Sequence, residues 1–398
     1  MLLARAGASV LLVDRARFPR DKACSEYLSP ATTGILERLG GDILDAVEGA
    51  AHAKLYGMKV VAPCGAAMCG RFRGGPRPYS FALPRTTFDT ILLAAAVRAG
   101  ALVREATTVE NLVWEKGAVA GVVARSCNPK GLPDGRGQRV TCNARIVVGA
   151  DGLRSVVARR LGLVRSSAPR RVAFAAHVAD VAGIDGVGEL HVSERGYVGL
   201  GPIGGGITTV ALVLPLTTVR GWGRRGGRDL RTGFFAELDR FPGLAGRFDP
   251  RRLARDVLAT GPFAQWSRTA APRGGGALLV GDAADFFDPF TGQGIHSALR
   301  GAELAAACLI PALARGVGAV IPAAALRSYV RARRQVFFGK WLLERLIGVG
   351  VGWPALTDRV VRRLAVRRDL ADLLVSATGN LVPARRVLAA SVLAQLLW

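Results

Sequence analysis

Residues 277–295, ALLVGDAADFFDPFTGQGI, place acidic residues and glycines at a spacing suited to a ligand that carries sugar hydroxyls and negative charge. Asp282 follows an apolar run, and its carboxylate can accept hydrogen bonds from hydroxyl groups. Gly292 and Gly294 precede a helical pattern, and small residues there let an electron-rich group approach the backbone N–H groups at the positive end of a helix. No Ser-His-Asp or paired-carboxylate arrangement indicates hydrolysis.

Strands and one helix must hold these residues in place. Residues 277–280 are typical of a buried strand, and residues 8–14, ASVLLVD, predict a second strand that is parallel, buried and ends at a carboxylate. Apolar residues then recur at helical spacing at Ile295, Leu299, Ala302 and Ala306. From residue 171 to 262 the pattern changes to strands joined by short glycine-rich turns.

Three segments resemble one family, and they occur along the chain in the order expected for it. GDAADFFDPFTGQGI resembles the second flavin-binding motif of the FAD-dependent aromatic-hydroxylase superfamily, which includes para-hydroxybenzoate hydroxylase, geranylgeranyl reductases and flavin-dependent halogenases. Residues 145–155, RIVVGADGLRS, resemble its Asp-Gly motif. Residues 10–30 resemble the second strand of its dinucleotide fold and the loop that follows. The similarity is weakest after about residue 330.

The resemblance implies binding roles for the glycine-rich motif. Gly281 and Asp282 end the strand, and Asp282 is expected to hold the ribityl hydroxyls of FAD. Pro289 shapes the turn beside the flavin ring. The backbone N–H groups that begin at Gly292 and Gly294 are expected to stabilise negative charge on the reduced flavin.

Four residues elsewhere are also expected to contact the cofactor. Asp14, at the end of the second strand of a dinucleotide-binding unit, is predicted to bind ribose hydroxyls. The GxGxxG fingerprint that accompanies such a residue is expected before Met1, and the FAD-binding domain is therefore interpreted as N-terminally truncated. Arg20 is a predicted phosphate partner. By resemblance, Arg85 lies beside the ribityl and phosphate chain, and Asp151 lies near flavin and nicotinamide.

The implied fold class is α/β: a Rossmann-like, glutathione-reductase-type FAD-binding domain, an inserted and mostly antiparallel β substrate domain, and a helical C-terminal tail. The predicted tail is helical nearly to residue 398, with breaks at Pro311, Pro322, 348–354 and Pro383. The predicted segments are 1–60, 85–165 and 271–322 for the FAD-binding domain, 61–84 and 166–270 for the substrate domain, and 323–398 for the C-terminal helical region.

Composition narrows the classes of partner. The net charge is +24, but only six of the 54 basic residues are Lys and the arginines are spread along the chain without a nucleic-acid-binding motif, so we expect no nucleic acid partner. The six cysteines and four histidines lack the spacing of a metal site, and the thiols are interpreted as reduced.

No apolar run reaches the ~20 residues that a membrane-spanning helix requires, and the N-terminus lacks a signal-peptide pattern, so the expected location is cytoplasmic. Residues 323–398 mix arginines with aromatic and aliphatic residues. This tail is predicted to pack against the FAD-binding domain, and peripheral contact with a membrane is the alternative.

The resemblance is compatible with several reactions. Hydroxylation of an aromatic or polyketide-like substrate, with NAD(P)H as electron donor, is favoured over reduction of an isoprenoid double bond. Halogenation is disfavoured because residues 196–206, GYVGLGPIGGG, contain neither Trp nor Lys. The substrate is expected to be a small apolar or aromatic molecule. A remnant without catalytic activity and a basic binding protein are the hypotheses from other classes.

Overall fold

The computed structural model describes residues 1–126, 137–168, 170–224, 229–241, 243–315 and 318–397. Its α-helices are α1 (Leu2–Arg5), α2 (Thr32–Leu39), α3 (Gly41–Gly49), α4 (Arg85–Arg98), α5 (Val156–Arg160), α6 (Leu216–Arg224), α7 (Leu230–Leu238), α8 (Gly294–Ala314), α9 (Ala323–Gly350), α10 (Pro354–Val366), α11 (Arg368–Thr378) and α12 (Ala390–Leu397).

The strands divide between short sheets and one large sheet. They are β1 (Leu11–Val13), β2 (Tyr27–Leu28), β3 (Ala53–Leu55), β4 (Gly57–Val61), β5 (Ala67–Arg71), β6 (Ser80–Ala82), β7 (Leu102–Arg104), β8 (Thr107–Glu115), β9 (Ala118–Ser126), β10 (Arg139–Asn143), β11 (Val147–Gly149), β12 (Val164–Ser166), β13 (Arg171–Ala179), β14 (Gly188–Ser193), β15 (Gly196–Gly204), β16 (Ile207–Pro215), β17 (Leu253–Thr260), β18 (Gln265–Ser267), β19 (Ala277–Leu279) and β20 (Asp285–Phe286). The predicted α/β class and the helical C-terminal region are confirmed.

Two parallel strand pairs carry the predicted cofactor motifs. β1 pairs with β7, and β11 pairs with β19. The strand predicted over residues 8–14 is shorter than expected, and it is not buried, since Leu11 is 39% exposed. Within the described residues β1 hydrogen-bonds to a neighbour along one edge only. Its apolar side chains therefore lie at the border of a cavity instead of inside a continuous sheet.

A seven-stranded sheet forms the second layer, in the order β17-β13-β16-β15-β14-β4-β5. Its pairings are antiparallel except for the parallel pair β14–β4. Because β4 already belongs to this sheet, the chain enters it at Gly57, a few residues before the predicted boundary at 61. β6, by contrast, pairs with β2 and β3 in a separate small sheet.

Both faces of the seven-stranded sheet are apolar. One face packs through Phe174, Val198 and Leu212 against Phe234 of α7. The other presents Val60, Leu190 and related residues toward the cavity, and the C-terminal helices α10 and α11 pack beside β5 there. Successive side chains of a strand point to opposite faces of the sheet, so the same strands supply both apolar faces.

The C-terminal helices differ from the prediction at one proline. Pro311 was predicted to interrupt the helical C-terminal region, but it lies inside α8. Pro311 is exposed and lies in the last turn of α8, so the hydrogen bond that it cannot donate interrupts the helix only a few residues before its end. Pro322 does precede α9, and residues 351–353 separate α9 from α10.

By length and composition, one helix among the described residues could span a membrane. It is α8, the helix that follows the glycine-rich motif, and Ala305 and Leu309 on it are buried in the core.

Candidate functional site

A cavity of about 2610 Å³ lies between the parallel strand pairs, the seven-stranded sheet and the C-terminal helices. All nine residues that the sequence assigned to cofactor binding line it: Asp14, Arg20, Arg85, Asp151, Gly281, Asp282, Pro289, Gly292 and Gly294. These residues are spread over most of the chain. The fold therefore brings together what the sequence could assign only motif by motif.

The glycine-rich turn is the centre of the site. β19 ends at Leu279, a 3-10 turn covers Pro289–Thr291, and α8 begins at Gly294. Gly292 adopts a left-handed conformation with φ of 65°. A Cβ atom at Gly292 would lie 2.8 Å from the ring of Tyr27, so glycine is required both by the backbone and by the close approach.

Asp282 lies beside the start of α8. A Cβ atom at Gly294 would lie 3.9 Å from the Asp282 carboxylate, which places that carboxylate at the positive end of the helix. Burial raises the pKa of Asp282, and the charges of Lys22 and Arg85 oppose this rise. The site thus holds a partly buried acidic group with two cations nearby.

The end of β1 carries a network of charges. Asp14 Oδ1 accepts a hydrogen bond from the N–H of Ala16 at 2.9 Å, and Asp14 Oδ2 lies 3.5 Å from Arg20 Nε. Arg20 also pairs with Asp89 at 3.1 Å, and Asp89 is bound through two hydrogen bonds of 2.8 Å by Arg85. Arg20 and Arg85 are therefore held by a shared carboxylate at the cavity wall.

Asp151 has a local structural role in addition to its place on the cavity wall. Its carboxylate accepts hydrogen bonds from the Ser155 hydroxyl at 2.6 Å and from the N–H groups of Val156 and Val157 at 2.6 and 3.2 Å. These are free N–H groups of the first turn of α5, which a carboxylate stabilises. Contact of Asp151 with a nicotinamide stays a prediction.

Comparison with known proteins identifies the family. The sequence profile described as FAD binding domain matches residues 1–338. The chain belongs to this family. In an FAD-binding domain protein, the carboxylates, cations and helix N-terminus described above are groups that can bind the cofactor. Carboxylates lie near the ends of β1 and β19, and cations and the N-terminus of α8 line the same cavity.

Curated relatives of this FAD-binding domain protein have different names. The chain is 29% identical to conditioned medium factor receptor 1 of Dictyostelium discoideum over 78% of its length, 31% identical to menaquinone reductase of Mycolicibacterium smegmatis over 76%, and 32% identical to digeranylgeranylglycerophospholipid reductase 2 of Methanothermobacter thermautotrophicus over 59%. It spans 60%, 71% and 56% of these relatives, respectively.

The fold is shared with many flavoproteins. A flavoprotein/dehydrogenase from Cytophaga hutchinsonii superimposes with a TM-score of 0.78 at 19% identity, covering 99% of this chain and 92% of that one. The flavin-dependent halogenase CmlS has the same fold, with a TM-score of 0.75 at 20% identity. A probable FAD-dependent monooxygenase from Pseudomonas aeruginosa also shares it, with a TM-score of 0.62 at 20% identity. The fold therefore confirms the architecture of an FAD-binding protein without selecting a reaction.

The described residues fit FAD on structural grounds. A group with a pyrophosphate and two polyol segments needs carboxylates for hydroxyls, cations or N–H groups for phosphates, and a close backbone approach for a planar ring. Asp14 and Asp282 supply the first, and Arg20, Lys22 and Arg85 line the cavity as cations. The third is the glycine-rich turn that begins α8.

A buried network that the sequence analysis missed fixes this turn. Asp288 accepts hydrogen bonds from Arg171 Nη1 at 2.6 Å, from the Tyr197 hydroxyl at 2.5 Å and from the N–H of Phe290 at 3.0 Å. Arg171 Nη2 also donates to the carbonyl of Gly348 in α9 at 3.0 Å. Burial and the Asp288 charge raise the pKa of Tyr197 well above its usual value, so its hydroxyl stays protonated and donates.

A second network links the motif to the C-terminal region. The Thr291 hydroxyl donates to Glu344 at 3.1 Å, and Lys340 donates to the same carboxylate oxygen at 2.6 Å. Gln293 Nε2 donates to the carbonyl of Thr378 at 2.8 Å. Nothing in the spacing of the sequence indicated the contacts of Thr291 and Gln293, because they join the motif to residues 53 and 85 positions away. The C-terminal helices are thus part of the site.

Proposed function

We propose that the chain is an FAD-dependent reductase of carbon–carbon double bonds in a long, apolar substrate of isoprenoid type. One observation carries the proposal: the cavity continues beyond the glycine-rich turn into a compartment whose walls are aliphatic on both sides. Such a compartment suits a flexible hydrocarbon chain, because each buried methylene contributes about 0.8 kcal/mol to binding.

The seven-stranded sheet forms one wall of this compartment. Its cavity face presents small and aliphatic side chains: Met58, Val60, Met68, Ala173, Leu190, Val192 and Val213. The polar side chains that the same strands contribute to the cavity are Glu189, Tyr197, Thr209 and Thr260. The Tyr197 hydroxyl is bonded to Asp288, and the Glu189 carboxylate is bonded to Arg247. Aliphatic side chains therefore predominate on this wall.

The C-terminal helices form the opposite wall. It is lined by Leu356, Val360, Val361, Leu364, Leu374, Val375, Val387, Leu393 and Leu396. Pockets for single small ligands are usually about 300–1,000 Å³. A cavity of about 2610 Å³ has room for a cofactor and a long substrate together.

The roles of the chain's own residues follow from their positions. Bound FAD would supply a hydride for the double bond, solvent would supply the proton that completes the addition of two hydrogens, and NAD(P)H would reduce the flavin. Asp282 and Asp14 would bind the hydroxyl groups of FAD, and Arg85 and Arg20 would neutralise phosphate. Arg171, Asp288 and Tyr197 hold the turn in place, and the aliphatic walls would surround the hydrocarbon chain.

The names of two relatives support this assignment. Both the menaquinone reductase and the digeranylgeranylglycerophospholipid reductase are named for reduction, and the second name specifies geranylgeranyl chains. Because the chain spans only part of each relative, the activity of the whole protein is part of the proposal, and so is a cytoplasmic location.

The decisive experiment compares two products. The purified chain, supplied with FAD and NADPH or NADH, is incubated in detergent with a geranylgeranyl lipid or with a panel of phenols, and products are analysed by mass spectrometry. Addition of two hydrogens per double bond to the lipid is the expected result. Addition of one oxygen atom to a phenol would instead favour the hydroxylase reaction, which the sequence alone ranked first.

A cavity variant provides the control. Val361→Trp fills the aliphatic compartment from α10, whereas the glycine-rich turn precedes α8. It should reduce turnover of the lipid and leave the bound FAD content unchanged. If lipid turnover survives this substitution, the hydrocarbon chain binds elsewhere and the proposal is wrong.

A further inference from the structure

Helix α9 exposes an apolar stripe. Phe338, Leu342, Leu346 and Val349 are 59%, 41%, 48% and 49% exposed, and Trp353, just beyond the helix, is 64% exposed. Steps of four, four and three residues keep the helical members on one face. Exposed large apolar residues are common singly, but a continuous stripe of this kind marks an interaction surface.

The same face carries positive charge. Arg331 and Arg334 lie N-terminal to the stripe and Arg345 lies between Leu342 and Leu346; all three arginines are exposed and at helical spacing to Phe338. Residues 323–353 contain six basic residues and one acidic residue, Glu344. Glu344 is buried and bonded to Lys340. The exposed surface of this segment is therefore basic and apolar, without a negative group.

A neighbouring turn adds to this charge. Ala384–Arg386 packs against α9 next to Gly339, and Arg385 and Arg386 are both exposed. Arginines beside exposed aromatic residues can extend their charged ends to lipid headgroups while the apolar side chains enter the interface.

The stripe is continuous with the large cavity. Leu346 lies on the stripe and lines the cavity, as do Arg334 and Arg345 at its basic margin. An apolar molecule leaving a lipid layer at this stripe would reach the aliphatic compartment along side chains of α9.

We propose that α9 docks on the surface of an anionic lipid bilayer through Phe338, Leu342, Leu346, Val349 and Trp353. Arg331, Arg334, Arg385 and Arg386 contact the negatively charged headgroups. A bilayer fits better than a protein partner because the apolar residues form a narrow ridge flanked by arginines that would otherwise need several acidic partners. The docking does not depend on which reaction the chain catalyses.

The test measures binding to vesicles. The purified full chain is floated with vesicles of phosphatidylcholine alone and with vesicles in which part of the lipid is phosphatidylglycerol. We expect binding to the anionic vesicles that weakens as salt rises. The double variant Phe338→Ser/Leu342→Ser should bind at least roughly tenfold more weakly, because two half-exposed apolar groups no longer leave water.

Charge and apolar contributions are separated by further variants. Arg331→Gln/Arg334→Gln should weaken binding to anionic vesicles by about fivefold per residue and leave the weak binding to phosphatidylcholine unchanged. Val97→Ser is the matched control, because Val97 is 52% exposed on α4, away from the stripe. This variant should bind like the parent chain, and thermal melts should show all variants folded.

Two results would overturn the proposal. Equal binding of the parent chain and Phe338→Ser/Leu342→Ser to anionic vesicles would show that the stripe is not the contact. Absence of vesicle binding, together with a dimer in sedimentation that the same substitutions dissociate, would assign the stripe to a second copy of the chain.

Discussion

Arg171→Gln should destabilise the protein more than any exposed Arg→Gln substitution. Arg171 Nη1 lies 2.6 Å from Asp288 Oδ2, and the two side chains are only 7% and 4% exposed. Arg171 also bonds the carbonyl of Gly348, so it joins β13, the glycine-rich turn and α9. Removing it leaves the Asp288 carboxylate buried with the Tyr197 hydroxyl and one backbone N–H.

The magnitude follows from burial. Breaking a buried ion pair by removing one partner costs about 3–5 kcal/mol, because the remaining charge is uncompensated. An exposed pair contributes about 0–1 kcal/mol. Arg98 pairs with Asp42 at 2.8 Å, with both side chains more than half exposed, and therefore provides a matched control.

The assay is urea-induced unfolding at neutral pH, followed by tryptophan fluorescence. Arg171→Gln should lower the free energy of unfolding by about 3–5 kcal/mol, and Arg98→Gln should lower it by less than about 1 kcal/mol. The double variant Arg171→Gln/Asp288→Asn should recover part of the loss, since it removes the unpaired charge. Bound FAD should also dissociate faster from Arg171→Gln, because the turn is no longer held.

One result would refute this reasoning. If Arg171→Gln and Arg98→Gln lower the free energy of unfolding equally, the pair at Asp288 is not desolvated, and the turn does not depend on it. An unchanged rate of FAD dissociation would separately show that the network does not position the cofactor site.

Three further predictions concern the glycine-rich turn and the first residues of α8. Asp282→Ala should lower the FAD content of the purified protein, measured by visible absorption, because a carboxylate beside the N-terminus of α8 is lost. Gly292→Ala should destabilise the fold by at least about 1 kcal/mol in thermal or urea unfolding, since its φ is 65° and its Cβ would contact Tyr27 at 2.8 Å. Burial, followed by the charges of Lys340 and Arg300, lowers the pKa of His296 from 6.5 to about 4. Between pH 6.5 and about pH 4 the unfolded chain therefore binds more protons than the folded protein. The free energy of unfolding should fall by about 3 kcal/mol as the pH drops through this range, and His296→Gln should remove that part of the pH dependence.

Controls for these predictions lie on the surface. Asp256→Ala, at an exposed position of β17, should retain FAD, and Gly49→Ala, where a Cβ meets open space, should leave stability nearly unchanged. Normal FAD content in Asp282→Ala would contradict the assignment of that carboxylate. A pH profile of His296→Gln that matches the parent chain would assign the acid sensitivity to other groups.

The parts of the site that could be predicted are those encoded by neighbouring residues. Asp282, Gly292 and Gly294 lie within one strand–turn–helix segment, where residue spacing by itself sets the order of carboxylate, tight turn and helix N-terminus. Asp14 likewise follows its own strand. Local chemistry was sufficient to select these residues as candidates, and the fold places them all on one cavity, while their contact with FAD stays a prediction.

The prediction was wrong where a residue's surroundings come from distant segments. The run 8–14 is as apolar as a buried strand, yet Leu11 is partly exposed, because burial depends on which strands lie beside it. Pro311 lies inside α8, although proline usually ends a helix, because its position is near the helix end and exposed.

The sequence by itself determined the family, the cofactor class and the residues expected to contact FAD, since these depend on short motifs. Only the tertiary structure showed that Arg171, Tyr197 and Gly348 hold Asp288 and that α9 closes the site. It also showed the aliphatic lining of the cavity, on which the proposal of double-bond reduction is based. The physical reason is that a buried charge or an apolar wall is completed by partners far along the chain, and no local pattern records which partners the fold will bring together.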